Sequence, residues 1–194
     1  MNASGTIVAR SAQSPMSRIS QATPELILAC QDVLLQGLGL LFKLSDRTYS
    51  HFLDAPYGAS IGGHYRHVLE HFQCVVRSLR AGEINYDARE RNPRLETEGT
   101  YAAIATCDVL RAIKNYDDGI LNRASKVVNS VSYESSAPSV IDTNVGRELA
   151  YCIGHAIHHY AIVRLICSQL GIDVPNEFGV APSTLKYKSS MAAD

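Results

Sequence analysis

At 194 residues, with 46% hydrophobic and 19% charged side chains, the chain has the make-up of one ordinary globular domain with a sizeable core. A formal net charge of −1 exerts no general pull toward nucleic acid or an anionic membrane, and the one local group of arginines, Arg89, Arg91 and Arg94, is interleaved with Asp87, Glu90 and Glu96. No apolar run approaches the ~20 residues that span a bilayer; the longest, Leu34 to Leu44, is interrupted by Gln36 and Lys43.

Residues 1–22 are rich in serine, carry Arg10 and Arg18, and hold no acidic side chain. They lack the apolar segment of a secretory signal. The preferred reading is a disordered tail, with an organelle transit peptide as the alternative. Thr23-Pro24-Glu25 then opens a first helix: Thr23 is a candidate cap, Pro24 suits the first helical position, and Glu25 complements the dipole. Its apolar residues run through Leu26, Ile27, Cys30, Val33, Leu34, Leu38 and Leu41, with Gly37 and Gly39 where a neighbour packs close. Asp54-Ala55-Pro56-Tyr57-Gly58 breaks the pattern.

Ser60 caps a second helix of about 20 residues, in which Ile61, Tyr65, Val68, Phe72, Val75 and Leu79 recur at steps of three and four until Gly82. A charged loop covers 86–96. Thr97 begins a third helix through Ile104, Val109, Leu110, Ile113 and Ile120, ending near Arg123. Val127, Val128, Val131 and Tyr133 have strand character, Ser135-Ser136-Ala137-Pro138 reads as a turn, and Val140-Ile141 as a return strand, together a short β-hairpin. Asp142 or Thr143 caps a fourth helix through Leu149, Cys152, Ala156, Tyr160, Val163, Cys167 and Leu170, which stops at Gly171. Residues 172–194, with Pro175 and Pro182, read as an extended arm. The sum is an all-α four-helix bundle over residues 23–171, with the hairpin between its third and fourth helices.

The five cysteines, Cys30, Cys74, Cys107, Cys152 and Cys167, form no C-x-x-C pair and lie among aliphatic neighbours. They read as reduced packing residues of a cytoplasmic protein.

The chemistry concentrates in histidine. Six of the seven histidines fall in two segments, Gly63-His64-Tyr65-Arg66-His67-Val68-Leu69-Glu70-His71 and Gly154-His155-Ala156-Ile157-His158-His159. His155 and His159 stand one turn apart on one helix face, which is how two imidazoles grip a divalent ion. At 100° per residue, His64 and His71 flank the apolar stripe of the second helix while His67 lies further round, so the wheel favours His64 or His71 as a third ligand. On the fourth helix His155 and His159 share an edge with Glu148, two turns earlier, and His158 points away. Cys152 faces the core. Glu148 can orient a ligand histidine, act as a general base, or only complement the helix dipole. Arg89 and Arg91 can bind a substrate carboxylate or belong to a solvated loop of paired charges. Tyr65 and Tyr160 read as core aromatics.

At these same residues the chain resembles the DinB-like superfamily of metal-binding four-helix bundles, which includes the YfiT-like proteins. The resemblance covers residues 25–187. Its carriers are Ser60-Ile61-Gly62-Gly63-His64-Tyr65-Arg66-His67-Val68-Leu69-Glu70-His71-Phe72, Tyr86-Asp87-Ala88-Arg89-Glu90-Arg91, Arg147-Glu148-Leu149, His155-Ala156-Ile157-His158-His159-Tyr160-Ala161 and Phe178-Gly179-Val180-Ala181-Pro182-Ser183-Thr184. What it implies is a three-histidine site of one ligand from the second helix and an H-x-x-x-H pair from the last, falling on His67, His155 and His159. His64, His71 and His158 then become pocket residues. Three neutral imidazoles suit zinc or nickel and leave a coordination position open. The resemblance further implies a metal-dependent transferase acting with a low-molecular-weight thiol, or a metal-dependent hydrolase. The competing expectation is a non-catalytic, metal-binding stress-response protein. A homodimer is expected at the family level.

Overall fold

The computed structural model describes residues 23–54, 56, 58–134 and 137–192. The tail or transit peptide expected over 1–22, and Ser135-Ser136 of the expected turn, lie outside these residues. In chain order the elements are α1 (Glu25–Leu41), α2 (Asp46–Tyr49), α3 (Ile61–Ala81), β1 (Glu83–Asn85), α4 (Pro93–Thr97), α5 (Gly99–Ile113), α6 (Asp118–Leu121), β2 (Ala124–Asn129), β3 (Ser139–Asn144), α7 (Val145–Gln169) and α8 (Pro182–Met191). The fold is mostly helical, with one small sheet. Among the described residues, no helix is long and apolar enough to cross a membrane.

Helices α1 and α3 each pack against both α5 and α7. The apolar stripes read from the sequence meet there: Ile27 and Leu34 of α1, Tyr65 and Phe72 of α3, Ile113 of α5, and Ala156, Tyr160 and Val163 of α7 are all buried. Burying a side chain of the Leu or Phe class contributes about 1.5–3 kcal/mol. Tyr65 and Tyr160 stack at 6.5 Å in this interior, as core aromatics. Gly37 of α1 lets them: a Cβ there would overlap Tyr160 Oη and stand 2.8 Å from Tyr65 Cε2.

Helix α3 is bounded as its sequence dictates. The Ser60 hydroxyl accepts from the Gly63 amide at 2.9 Å, and Gly82 ends the helix at φ 79°. Elsewhere the ends differ from expectation. Thr23 does not cap α1; Pro24 occupies that position, and its carbonyl accepts from Ile27 and Leu28. Asp142 and Thr143 belong to β3, and the cap of α7 is Asn144, which accepts from the Arg147 amide. The third helix is broken: Asn92 caps α4, Glu98 interrupts, α5 stops at Ile113, and Asp117 caps α6.

The hairpin is present as antiparallel β2 and β3, with Val127 opposite Ile141. Val131 and Tyr133 fall outside it and are exposed. A third strand joins: β1 pairs parallel with β2, and Ile84, fully buried, stands opposite Val127. This sheet links the C-terminal end of α3 to the start of α7. The two helices therefore run antiparallel along their contact, which sets the register of their histidines.

The C-terminal segment is not extended throughout. Arg164 donates to the carbonyls of Pro175, Asn176 and Phe178, and buried Phe178 stacks on Tyr160 at 4.9 Å. Gly179, at φ 69°, comes against the α7 backbone at Tyr160 and Ala161. After this strap Pro182 occupies the first turn of α8, which buries none of its residues.

Candidate metal centre

Three histidines converge where α3 crosses α7. Ring centroids are 4.9 Å apart for His67 and His155, 4.6 Å for His67 and His159, and 4.5 Å for His155 and His159. Each offers one nitrogen, and the three nitrogens lie within 4.8 Å of one another. Nitrogen ligands at ~2.0–2.1 Å from a tetrahedral ion stand about 3.3 Å apart, so small ring rotations close the gap. The wheel favoured His64 or His71 for the α3 position, but the nitrogens that group with the α7 pair include that of His67. The helix is rotated by its packing, with Tyr65 and Phe72 inward, and His67 turns toward α7.

The neighbouring histidines follow the antiparallel register. His64, near the start of α3, meets His159: their Nδ1 atoms are 2.9 Å apart. His71, two turns further on, meets His155 with centroids 4.2 Å apart, and lies 4.5 Å from His67. Its Nδ1 donates to the His67 carbonyl at 2.7 Å, which leaves a lone pair on Nε2. His158 is exposed at the rim, its ring 5.2 Å from that of His159.

The site favours neutral imidazoles. Burial, reinforced by the neighbouring histidines, lowers the pKa of His67 to about 2, His159 to about 3 and His155 to about 4. Burial likewise lowers His71 to about 4 and depresses His64. Neutral imidazole is the form that binds a metal. The Nε2 of His155 is buried and has no hydrogen-bond partner, a costly state unless something accepts its lone pair. The donor set thus fits a divalent ion.

The two buried carboxylates near the site are both engaged. Glu148, fully buried, accepts from Tyr86 at 2.8 Å, Thr143 at 2.7 Å and Arg147 at 2.9 Å. Among the described residues it bonds to no histidine; it reaches the cluster through Tyr86, whose ring stacks on His71 at 4.9 Å. Glu70 accepts from the Asn92 amide and stands 3.8 Å from Nε of Arg89. Arg89 is largely buried, donates to the Tyr86 carbonyl, and adds to the depression of His67, His71 and His155. Arg91 is exposed, at φ 49°, and makes none of the cluster's contacts.

One residue at the site escaped sequence reasoning. Tyr151 stacks on His155 at 5.4 Å and also meets Tyr86. Its position four residues before His155 was the available signal. Cys152 is buried beside Tyr86, 3.9 Å from its hydroxyl, and faces the core as expected.

No protein-family model matches the chain. FK506-binding protein 5 of Rhizopus delemar is 36% identical over 104 residues, which span 54% of this chain and 27% of that protein. The match therefore occupies little more than a quarter of that relative's length. The crystal structure of a DinB-like protein, YjoA of Bacillus subtilis, superposes with a TM-score of 0.58 at 14% identity, covering 81% of this chain and all of the other. The chain has a DinB-like fold.

Proposed function

We propose that this protein is a four-helix bundle of α1, α3, α5 and α7 that binds one zinc or nickel ion through His67, His155 and His159, and that it transfers a low-molecular-weight thiol to an electrophilic small molecule. The observation that carries the reading is the convergence of these three imidazole nitrogens within 4.8 Å. The reading also includes a cytoplasmic homodimer.

None of the three donors is a carboxylate, so a bound dication keeps its charge and favours an anion at its open position. Such an ion lowers the pKa of a thiol and supplies a thiolate nucleophile at neutral pH. Within the chain, Nε2 of His71 has a lone pair available for the thiol proton, because Nδ1 already donates to the His67 carbonyl. Arg89, held against Glu70, can bind an anionic group of the electrophile. Thiol transfer is preferred to hydrolysis because the buried carboxylates Glu148 and Glu70 are both engaged, and Glu96, the carboxylate at the open cleft, is paired with Arg66.

The test is elemental analysis of protein purified without a histidine tag, followed by consumption of an epoxide with and without added thiol. One equivalent of metal per chain is expected, lost in His155→Ala and His159→Ala and kept in His158→Ala. Equal metal content in all three variants refutes the ligand assignment. Turnover that is indifferent to thiol refutes the transferase.

A further inference from the structure

The histidine cluster is flanked by a row of aromatic rings on one side and opens to a cleft on the other. Along the first side the rings of Tyr151, His155, His71 and Tyr86 follow one another at 4.2–5.4 Å. On the open side lies a cleft of about 320 Å³, lined by Phe52, His64, Arg66, His67, Glu96 and His159. That volume is at the small end for ligand pockets, which run about 300–1,000 Å³. Two of the three candidate ligands, His67 and His159, line this cleft; His155 belongs to the row of rings.

The cleft also holds a pair of opposite charges. Arg66 of α3 donates from Nη1 to Oε2 of Glu96 in α4 at 2.5 Å, with the side chains 26% and 33% exposed. The pair is not saturated. Guanidinium carries five donors, and among the described residues Nη2 of Arg66 makes no hydrogen bond, Glu96 being bound through Nη1 alone. Among the described residues, Oε1 of Glu96 accepts no hydrogen bond. A partly exposed cation and anion beside an open metal position are complementary to a ligand with both charges at one end. The carboxylate of such a ligand fits the guanidinium, and its ammonium fits the free carboxylate oxygen. Phe52, exposed at the cleft's edge, offers an apolar surface for the stem between.

We infer that this cleft is the binding site for a zwitterionic α-amino-acid thiol, its carboxylate on Arg66, its ammonium on Glu96 and its sulfur directed to the position left open by His67, His155 and His159. The inference rests on the metal reading above and names the class of thiol. It is independent of the electrophile.

The full chain, loaded with cobalt(II), is titrated with L-cysteine, cysteamine (no carboxylate) and 3-mercaptopropionate (no ammonium), following sulfur-to-cobalt charge-transfer absorbance. Affinities are expressed per thiolate. L-cysteine is expected to bind at least about tenfold tighter than either analogue, as the loss of one charge-assisted hydrogen bond implies. Arg66→Gln should bring L-cysteine down to the level of cysteamine, and Glu96→Gln to that of 3-mercaptopropionate. Equal affinity for the three thiols on the unaltered chain overturns the inference, as does a preference that survives both substitutions. The pair also ties α3 to α4, so thermal stability is read alongside; a lowered Tm with an unchanged preference means a structural strut and no more. Cobalt uptake without discrimination defeats this inference alone, cobalt uptake without any sulfur band defeats the thiol chemistry with it, and no cobalt uptake defeats the metal centre and everything that depends on it.

Discussion

The Nδ1 atoms of His64 and His159 lie 2.9 Å apart, so one of them must carry the proton and the other accept it. If His159 turns Nε2 to an ion, its Nδ1 keeps the proton and donates to His64. That hydrogen bond fixes the tautomer and ring orientation of a ligand, a support whose loss typically weakens metal affinity by about 10–100-fold. His64→Ala is therefore expected to retain the fold and to weaken zinc binding within that range in a competition titration against a chelator. His158→Ala, at the exposed rim, should change affinity less than about twofold on the same reasoning. Equal affinities for the two variants would remove His64 from the site.

The ion-free protein should lose stability as the pH falls through the weakly acidic range. His67, His155 and His159 have folded pKa values of about 2, 4 and 3, against 6.5 for an unperturbed imidazole. Between those limits the unfolded chain binds more protons than the folded one, so stability rises with pH and levels off above 6.5. The urea midpoint of metal-stripped protein should fall between about pH 6.5 and pH 4, and less steeply in His67→Asn, which removes one titrating group. Zinc binds only the folded, neutral cluster, so its presence should raise the midpoint at neutral pH and steepen that fall. A midpoint indifferent to pH over this range would mean that the imidazoles are hydrated and accessible.

The long helices were legible because each carries a local signal that its surroundings reinforce. Ser60 and Gly82 bracket α3, and Gly37 marked the close approach of α1 to Tyr160. What was not legible was set by contacts distant in sequence. Three residues of β1 are too few for a period, and they become a strand because Ile84 is buried against Val127, 43 positions away. That the nitrogen of His67, and not of His64 or His71, groups with the α7 pair depends on how α3 is rotated against α7, which no single helix encodes. Glu148 sits on the correct edge of α7, yet its oxygens are taken by Tyr86 and Thr143, a partnership written across 62 residues in the first case. Helix α8 is not legible because Pro182 is compatible with an extended chain, yet proline in a first turn starts a helix as readily.

Gly37→Ala tests the packing that holds the crossing together. The added methyl would meet Tyr160 and Tyr65, both fully packed in the interior. Overpacking of this kind costs about 1–3 kcal/mol, partly offset by the better helix propensity of alanine. The expected result is a lower Tm with unchanged metal stoichiometry. Gly39→Ala, where a Cβ meets nothing within 4 Å, should instead hold or raise the Tm. The pair of variants separates a steric effect from any general intolerance of α1 to substitution.

Tyr86 joins the buried acid to the histidines, and Tyr86→Phe removes that link while keeping the ring. The hydroxyl donates to Glu148 at 2.8 Å, and the ring stacks on His71 at an interplanar angle of 24°. Without the hydroxyl, Glu148 Oε2 is left buried without its donor, which costs about 1–3 kcal/mol. The substitution should lower the Tm accordingly. Because Glu148 touches no candidate ligand directly, zinc affinity should stay within about threefold of the unaltered chain, well short of the loss expected on removing a direct support such as His64. A loss of metal as large as that of His64→Ala would instead make Glu148, acting through Tyr86 and His71, the electrostatic anchor of the centre.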